Sequence, residues 1–114
     1  MSDFGTMISI TKKDKSAFSE AEFKDIQAIA ETYKAECPHT NSLAEPFLFG
    51  VGKTQRLDNP LFYEVNVLLS DYYGDRKMYN WHKDVDLKYG KMVTDDLKKL
   101  LPENYVLALA FEWW

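Results

Sequence analysis

Cysteine is almost absent from this 114-residue sequence. Cys37 stands alone, so no disulfide within the chain is available, and a reducing compartment, the cytoplasm, is the expected location. The N-terminus lacks the charged, apolar and small-residue regions of a secretory signal. Long apolar runs are missing too: the longest, Tyr105 to Phe111, falls far short of the roughly 20 residues a membrane-crossing helix needs, so no membrane association is expected. Basic clusters are also lacking. The formal net charge is −4, and cations occur singly or in pairs such as Lys12-Lys13, Arg76-Lys77 and Lys98-Lys99, with acids nearby. A phosphate backbone needs clustered cations to displace its counterions, so nucleic acid is not an expected partner. Glycine (5) and proline (4) are too few for a linker or low-complexity chain, and no internal repeat divides residues 1–114.

What is present is enough apolar residue, 46%, to pack one core within one domain. Met7 to Thr11 alternates like a strand, and the charged stretch from Lys12 to Ser16 reads as a loop. Ser19 followed by Glu22 is a capping box, so a helix should begin near Glu20. Phe23, Ile26, Ala30, Tyr33 and Cys37 share one face of it. Pro38 ends it, and Thr40-Asn41-Ser42 supplies a turn. Aromatic and β-branched residues then predict strands over 47–53 and 61–70, connected through Asp58-Asn59-Pro60. In the second, Leu61, Tyr63, Val65, Val67 and Leu69 fall opposite Phe62, Glu64, Asn66 and Leu68.

Tyr73-Gly74-Asp75 reads as a hairpin turn leading to a strand over 77–83. Met78, Trp81, Val85, Tyr89 and Met92 also have helical spacing, but Gly90 and the acids at 84 and 86 favour strand followed by loop. Thr94 is a good cap for a short helix over 94–101, which Pro102 stops. The last strand, 105–113, is apolar on both faces and so is expected in the middle of a sheet. The expected fold is a single α+β domain: an antiparallel sheet of four or five strands with two helices on one face.

Motifs that suggest chemistry fail on inspection. Gly52-Lys53-Thr54 resembles the end of a phosphate-binding loop, but Phe47 replaces its first glycine and no helix can follow before Pro60. Gly50 and Gly52 then serve a bulge or close packing. Cys37-Pro-His39 places a thiol near an imidazole, yet a buried thiol at the end of a helix beside an exposed loop histidine is the favoured reading. Asp84-x-Asp86 opens like a calcium loop, but Lys88, Tyr89 and Asp95 occupy positions that demand a ligand, glycine and glutamate. Asp71, Asp75, Asp84 and Asp86 therefore read as solvated loop charge. No metal, cofactor or catalytic residue is expected.

The feature that stands out is aromatic. Tyr72, Tyr73, Tyr79, Trp81 and Tyr89 crowd a polar stretch that also holds Arg76, His82 and Asp84, and Tyr, Trp and Arg dominate interface hot spots. These eight residues are the candidate binding site. The expected role is a non-catalytic protein-interaction domain of the adaptor, inhibitor or immunity type. Its acidic balance favours a basic patch on the partner, and a homodimer through the sheet would bury one of Trp113 and Trp114. The alternative is a small-molecule binding domain or minor enzyme with a pocket between sheet and helix, using His82, Tyr63, Glu64 and Asp84. The ordinary packing role for the rings, over one edge of the sheet, weighs equally with recognition.

Overall fold

In the computed structural model, which describes residues 2–37, 50–55 and 62–114, five strands and two helices follow the order β1 (Ser2–Lys12), α1 (Glu20–Glu36), β2 (Gly50–Gln55), β3 (Phe62–Leu68), β4 (Tyr72–Gly74), α2 (Arg76–Leu100) and β5 (Tyr105–Trp113). Every strand pairing is antiparallel. Together these elements form the expected α+β fold. The turn at 40–42, the connection at 58–60, Leu61, His39 and the start of the 47–53 strand lie outside the described residues.

The capping box closes as the sequence predicts. Glu22 donates its backbone N–H to the Ser19 hydroxyl at 3.1 Å, and Ser19 N–H returns to Glu22 Oε1 at 3.0 Å. From that start α1 buries Ile26, Ala30 and Tyr33. Ile26 and Tyr33 join Ile8 and Ile10 of β1, Val65 and Val67 of β3, and Val93 and Leu97 of α2 in one apolar core.

The strand expected over 77–83 is instead the opening of α2, and the helix expected over 94–101 is its final third. The Tyr73-Gly74-Asp75 turn is likewise corrected: Tyr73 and Gly74 end β4, and Asp75 caps α2 by accepting Met78 N–H at 3.0 Å. Gly90 does not break the helix because packing requires it. A Cβ there would lie 2.9 Å from Leu109 Cδ1 and 3.1 Å from Thr6 Cγ2, so the propensity cost of about 1 kcal/mol is offset by close approach of helix to sheet. Thr94 is no cap. It is buried in the helix interior, its hydroxyl satisfied at 2.7 Å by Gly90 O, one turn back.

The strand expected at the sheet's centre, β5, pairs only with β1 among the described residues, and β1 is the central strand. β5 borders one side of β1 along nine residue pairs, while β3 and β4 share the other side. Its apolar second face, Val106, Ala108 and Ala110, lies on the side of the sheet away from the helices, as strand alternation requires.

Two bulges correct the expected alternation of the 61–70 strand. The pairing of β2 with β3 shifts between Thr54 and Gln55, leaving Tyr63 as an extra residue, so Phe62 turns into the core and Tyr63 turns out. Between β3 and β4, Thr6 O accepts both Leu69 N–H at 2.8 Å and Ser70 N–H at 3.3 Å. Three residues there oppose two on β1, which flips the parity: Tyr72 faces α2, and Tyr73 faces away. Gly5 is needed at this point, since a Cβ would fall 2.0 Å from Ser70 O. Neither Gly50 nor Gly52 has a comparable close approach; Gly52 faces open space.

Candidate functional site

The bulge between β3 and β4 sets the chemistry of the region that the sequence singles out. By turning both Ser70 and Tyr72 toward α2, it aims two hydroxyls at Asp86. Ser70 Oγ donates to Asp86 Oδ2 at 2.7 Å, Thr6 Oγ1 to the same oxygen at 3.1 Å, and Tyr72 OH to Oδ1 at 3.1 Å. Thr6 N–H in turn donates to Ser70 Oγ at 3.0 Å. Asp86 is 4% exposed, so its reading as solvated loop charge is overturned. Among the described residues no ion pair involves it; three hydroxyl donors serve the carboxylate in place of water. This is a polar staple between helix and sheet.

Beside the staple, aromatic rings gather around buried Phe4. Tyr72, Tyr79, His82, Phe111 and Trp113 all have ring centroids within 6.3 Å of it. His82 stacks flat on Tyr72 at 4.0 Å. Tyr79 stacks on Trp113 at 4.7 Å, and its hydroxyl donates to Phe111 O at 3.1 Å. Of the eight candidate binding residues, then, Tyr72, Tyr79 and His82 pack inward and hold the start of α2 to the sheet. Tyr89 is half-buried against the main core. Trp81 is 75% exposed, touching His82 with one edge. Tyr73, 62% exposed, lies on the opposite side of the sheet from Trp81. Arg76 and Asp84 are exposed at different turns of α2, with Arg76 lining a shallow groove with Ser2, Gly74, Asp75 and Trp113. The structure therefore does not unite the eight into one surface.

What it does create is a stripe that the sequence spacing had suggested. Met78, Trp81, Val85, Tyr89 and Met92 recur every three or four residues along α2, beside the buried face formed by Asp86, Gly90, Val93 and Leu97. Trp81 and Val85, at 75% and 51% exposed, form its crest, and Met78 and Met92 extend it in both directions. On the helical wheel Lys77, Asp84, Lys88 and Asp95, all exposed, border this stripe. Of the four acids in the region, Asp86 is buried and Asp75 is committed to the helix cap, so Asp71 and Asp84 remain against Arg76, Lys77, Lys83 and Lys88. The local surface is not acidic.

The pocket reading loses its residues. Tyr63 lines a groove with Thr11, Lys12, Lys13, Lys15 and Val106, at the far end of β1 from His82 and Phe4. A separate groove of about 480 Å³ runs between α1 and the end of α2, lined by Asp25, Ile26, Ala28, Ile29, Leu100, Leu101, Pro102 and Tyr105. There Tyr105 OH donates to Glu22 Oε2 at 3.2 Å, and burial, followed by the nearby Glu22 charge, pushes the phenol up to about 12. No histidine or nucleophile lines that groove.

Among the described residues no three His, Cys, Asp or Glu side chains converge as metal ligands. Cys37 is buried against Tyr33, whose phenol is raised, first by burial and then by Asp96 accepting its hydrogen bond at 2.6 Å. Gly52-Lys53-Thr54 lies within β2, and Lys53 is held by Glu20. Among the described residues no helix is long and apolar enough to cross a membrane. Comparison with known proteins gives no match to a family model, a curated protein or a solved structure.

Proposed function

We propose that this chain is a non-catalytic protein-interaction domain that docks a partner on the outward stripe of α2. The observation that carries this reading is the continuous apolar ridge Met78–Trp81–Val85–Met92 on a helix whose other face is already buried. Leaving such a ridge in water forfeits about 25 cal/mol for each Å² that a partner could cover. An indole at its centre is the side chain most enriched among interface hot spots, and methionines adapt to the shape of a partner. The bordering charges, Lys77 and Lys88 interspersed with Asp84 and Asp95, favour an apolar groove with a rim of both signs on that partner. This replaces the basic patch expected from overall charge.

Rigid presentation supports the same role. The Asp75 cap, the Asp86 staple and the Phe4 ring cluster fix the first three turns of α2 against the sheet, so little order must be gained on binding. A photo-reactive amino acid placed at position 85, and separately at Glu31 on the exposed side of α1, tests the proposal in cells. A discrete adduct with another protein from position 85, lost in Trp81→Ala and absent from position 31, is the expected result. Equal, diffuse labelling from both positions would refute it.

A further inference from the structure

A second surface, separate from the α2 stripe, is the edge of the sheet along β5. Trp114 N–H donates to Asp3 O at 2.9 Å, and Lys13 N–H donates to Asn104 O at 2.8 Å. In an antiparallel ladder these two bonds fix the phase: the even-numbered residues of β5 bond to β1, and the backbone groups of the odd-numbered residues point away from it. Tyr105 N–H is taken by Pro102 O at 3.2 Å. Leu107, Leu109 and Trp113 therefore present an open ladder along the sheet edge among the described residues, together with the N–H of Phe111, whose carbonyl already accepts the Tyr79 hydroxyl at 3.1 Å. Natural edges are blunted by proline, lysine or a bulge, and β5 has none of these over its nine residues.

We propose that β5 pairs antiparallel with β5 of a second copy about a two-fold axis at Leu109, joining the two sheets. Of the registers the ladder phase permits, this one spans all nine residues of both strands, with the Tyr105 N–H keeping its bond to Pro102 O and the second lone pair of Phe111 O serving the new ladder. It sets Leu107 against Phe111 of the second copy and Tyr105 against its Trp113, giving cross-strand apolar and aromatic pairs on the helix side. On the other side Ala108 meets Ala110 of the second copy, side chains small enough for close approach. Glu112 of each copy arrives at Val106 of the other. Val106 shares grooves with Lys13, and neither Lys13 nor Glu112 makes an ion pair within its own chain among the described residues. The strand is thus complementary to itself in charge as well as shape, with two symmetric Glu112–Lys13 contacts. This selects a second copy over an unrelated strand.

Sedimentation equilibrium of the full chain and of three charge variants tests the pairing. The wild type is expected at twice the monomer mass at concentrations of about 100 μM, in line with a small interface. Glu112→Lys and Lys13→Glu should each weaken the dimer about tenfold, since each reversal places like charges together twice. The double variant should recover most of that loss. Register is read independently by oxidation of cysteine variants: Ala108→Cys mixed with Ala110→Cys should form a disulfide-linked dimer, because a non-hydrogen-bonded pair brings Cα atoms to about 4.5 Å. Neither variant alone should do so. A wild type that stays monomeric, a double variant no better than the singles, or linkage of Ala108→Cys to itself would overturn the proposal.

Discussion

Replacing Asp86 with alanine removes the common acceptor of two buried hydroxyls, Thr6 and Ser70, and the half-buried one of Tyr72, at 2.7 to 3.1 Å from its carboxylate. Hydrogen bonds to a charged group contribute about 1.5–3 kcal/mol each, and burying the carboxylate costs several kcal/mol in return. The variant regains that desolvation cost but strands the donors. Ser70 Oγ keeps Thr6 N–H as a partner, whereas the donor protons of Thr6 and Ser70 lose theirs, at about 1–3 kcal/mol for each group left unsatisfied, and Tyr72 loses its bond to the carboxylate. The net loss expected for Asp86→Ala is about 3–4 kcal/mol, a large part of the 5–15 kcal/mol typical of a domain. Urea denaturation measures it directly, and the melting temperature should fall by about 12 °C or more. Asp86→Asn retains one acceptor but turns an amide donor toward hydroxyl donors, so it should recover no more than about half of the loss. A change below about 1 kcal/mol for Asp86→Ala would refute the staple.

Gly5→Ala should be more damaging than its one added carbon suggests, because the Cβ falls 2.0 Å from the Ser70 carbonyl; expression and thermal melting check for a loss of about 3 kcal/mol or failure to fold. Tyr79→Ala should cost about 3–5 kcal/mol in urea denaturation, since the ring stacks on Trp113 and bonds Phe111 O. Glu22 is held below its ordinary value of 4.5, chiefly by the Lys12 hydrogen bond and then by Ser19 N–H. A depressed carboxylate contributes stability above that ordinary value and loses it as pH falls through the folded value. The stability difference between wild type and Glu22→Gln, measured by denaturant titration from pH 7 to pH 2, should therefore be constant near neutrality and shrink below about pH 4.5. A difference that widens in acid would contradict the assigned cause.

Much of the fold was legible wherever one local signal was strong. The Ser19–Glu22 box located the first turn of α1 to the residue, and the apolar positions Ile26, Ala30 and Tyr33 of α1 and Val65, Val67 and Leu69 of the expected 61–70 strand fell in the core, while Phe62 and the start of β1 with Phe4 and Thr6 were missed. Signals failed where long-range packing decided. Gly90 argued for a break in the helix because no local feature reveals that Leu109 and Thr6 will occupy the space of its missing side chain. The acids at 84 and 86 look alike in sequence; one is solvated, and the other meets three hydroxyls supplied by distant strands. A single extra residue between Leu68 and Tyr72 reversed which tyrosine faces the helix, and no composition rule marks that bulge. The candidate site was half legible: the aromatic crowd was visible, but its division into inward rings and the outward α2 stripe depended on choosing the period of three and four over the period of two.

The proposed docking requires Trp81 to stand at the surface while its neighbours hold the helix in place. Thermal denaturation of Trp81→Ala, run beside photo-crosslinking from position 85 in the same background, tests that division. A melting temperature within about 2 °C of wild type, with the position 85 adduct lost, is the predicted result, since a largely exposed side chain contributes little to folding. A fall of about 10 °C or more would place the ring in the core, and an unchanged adduct would show that the stripe does not bind through it.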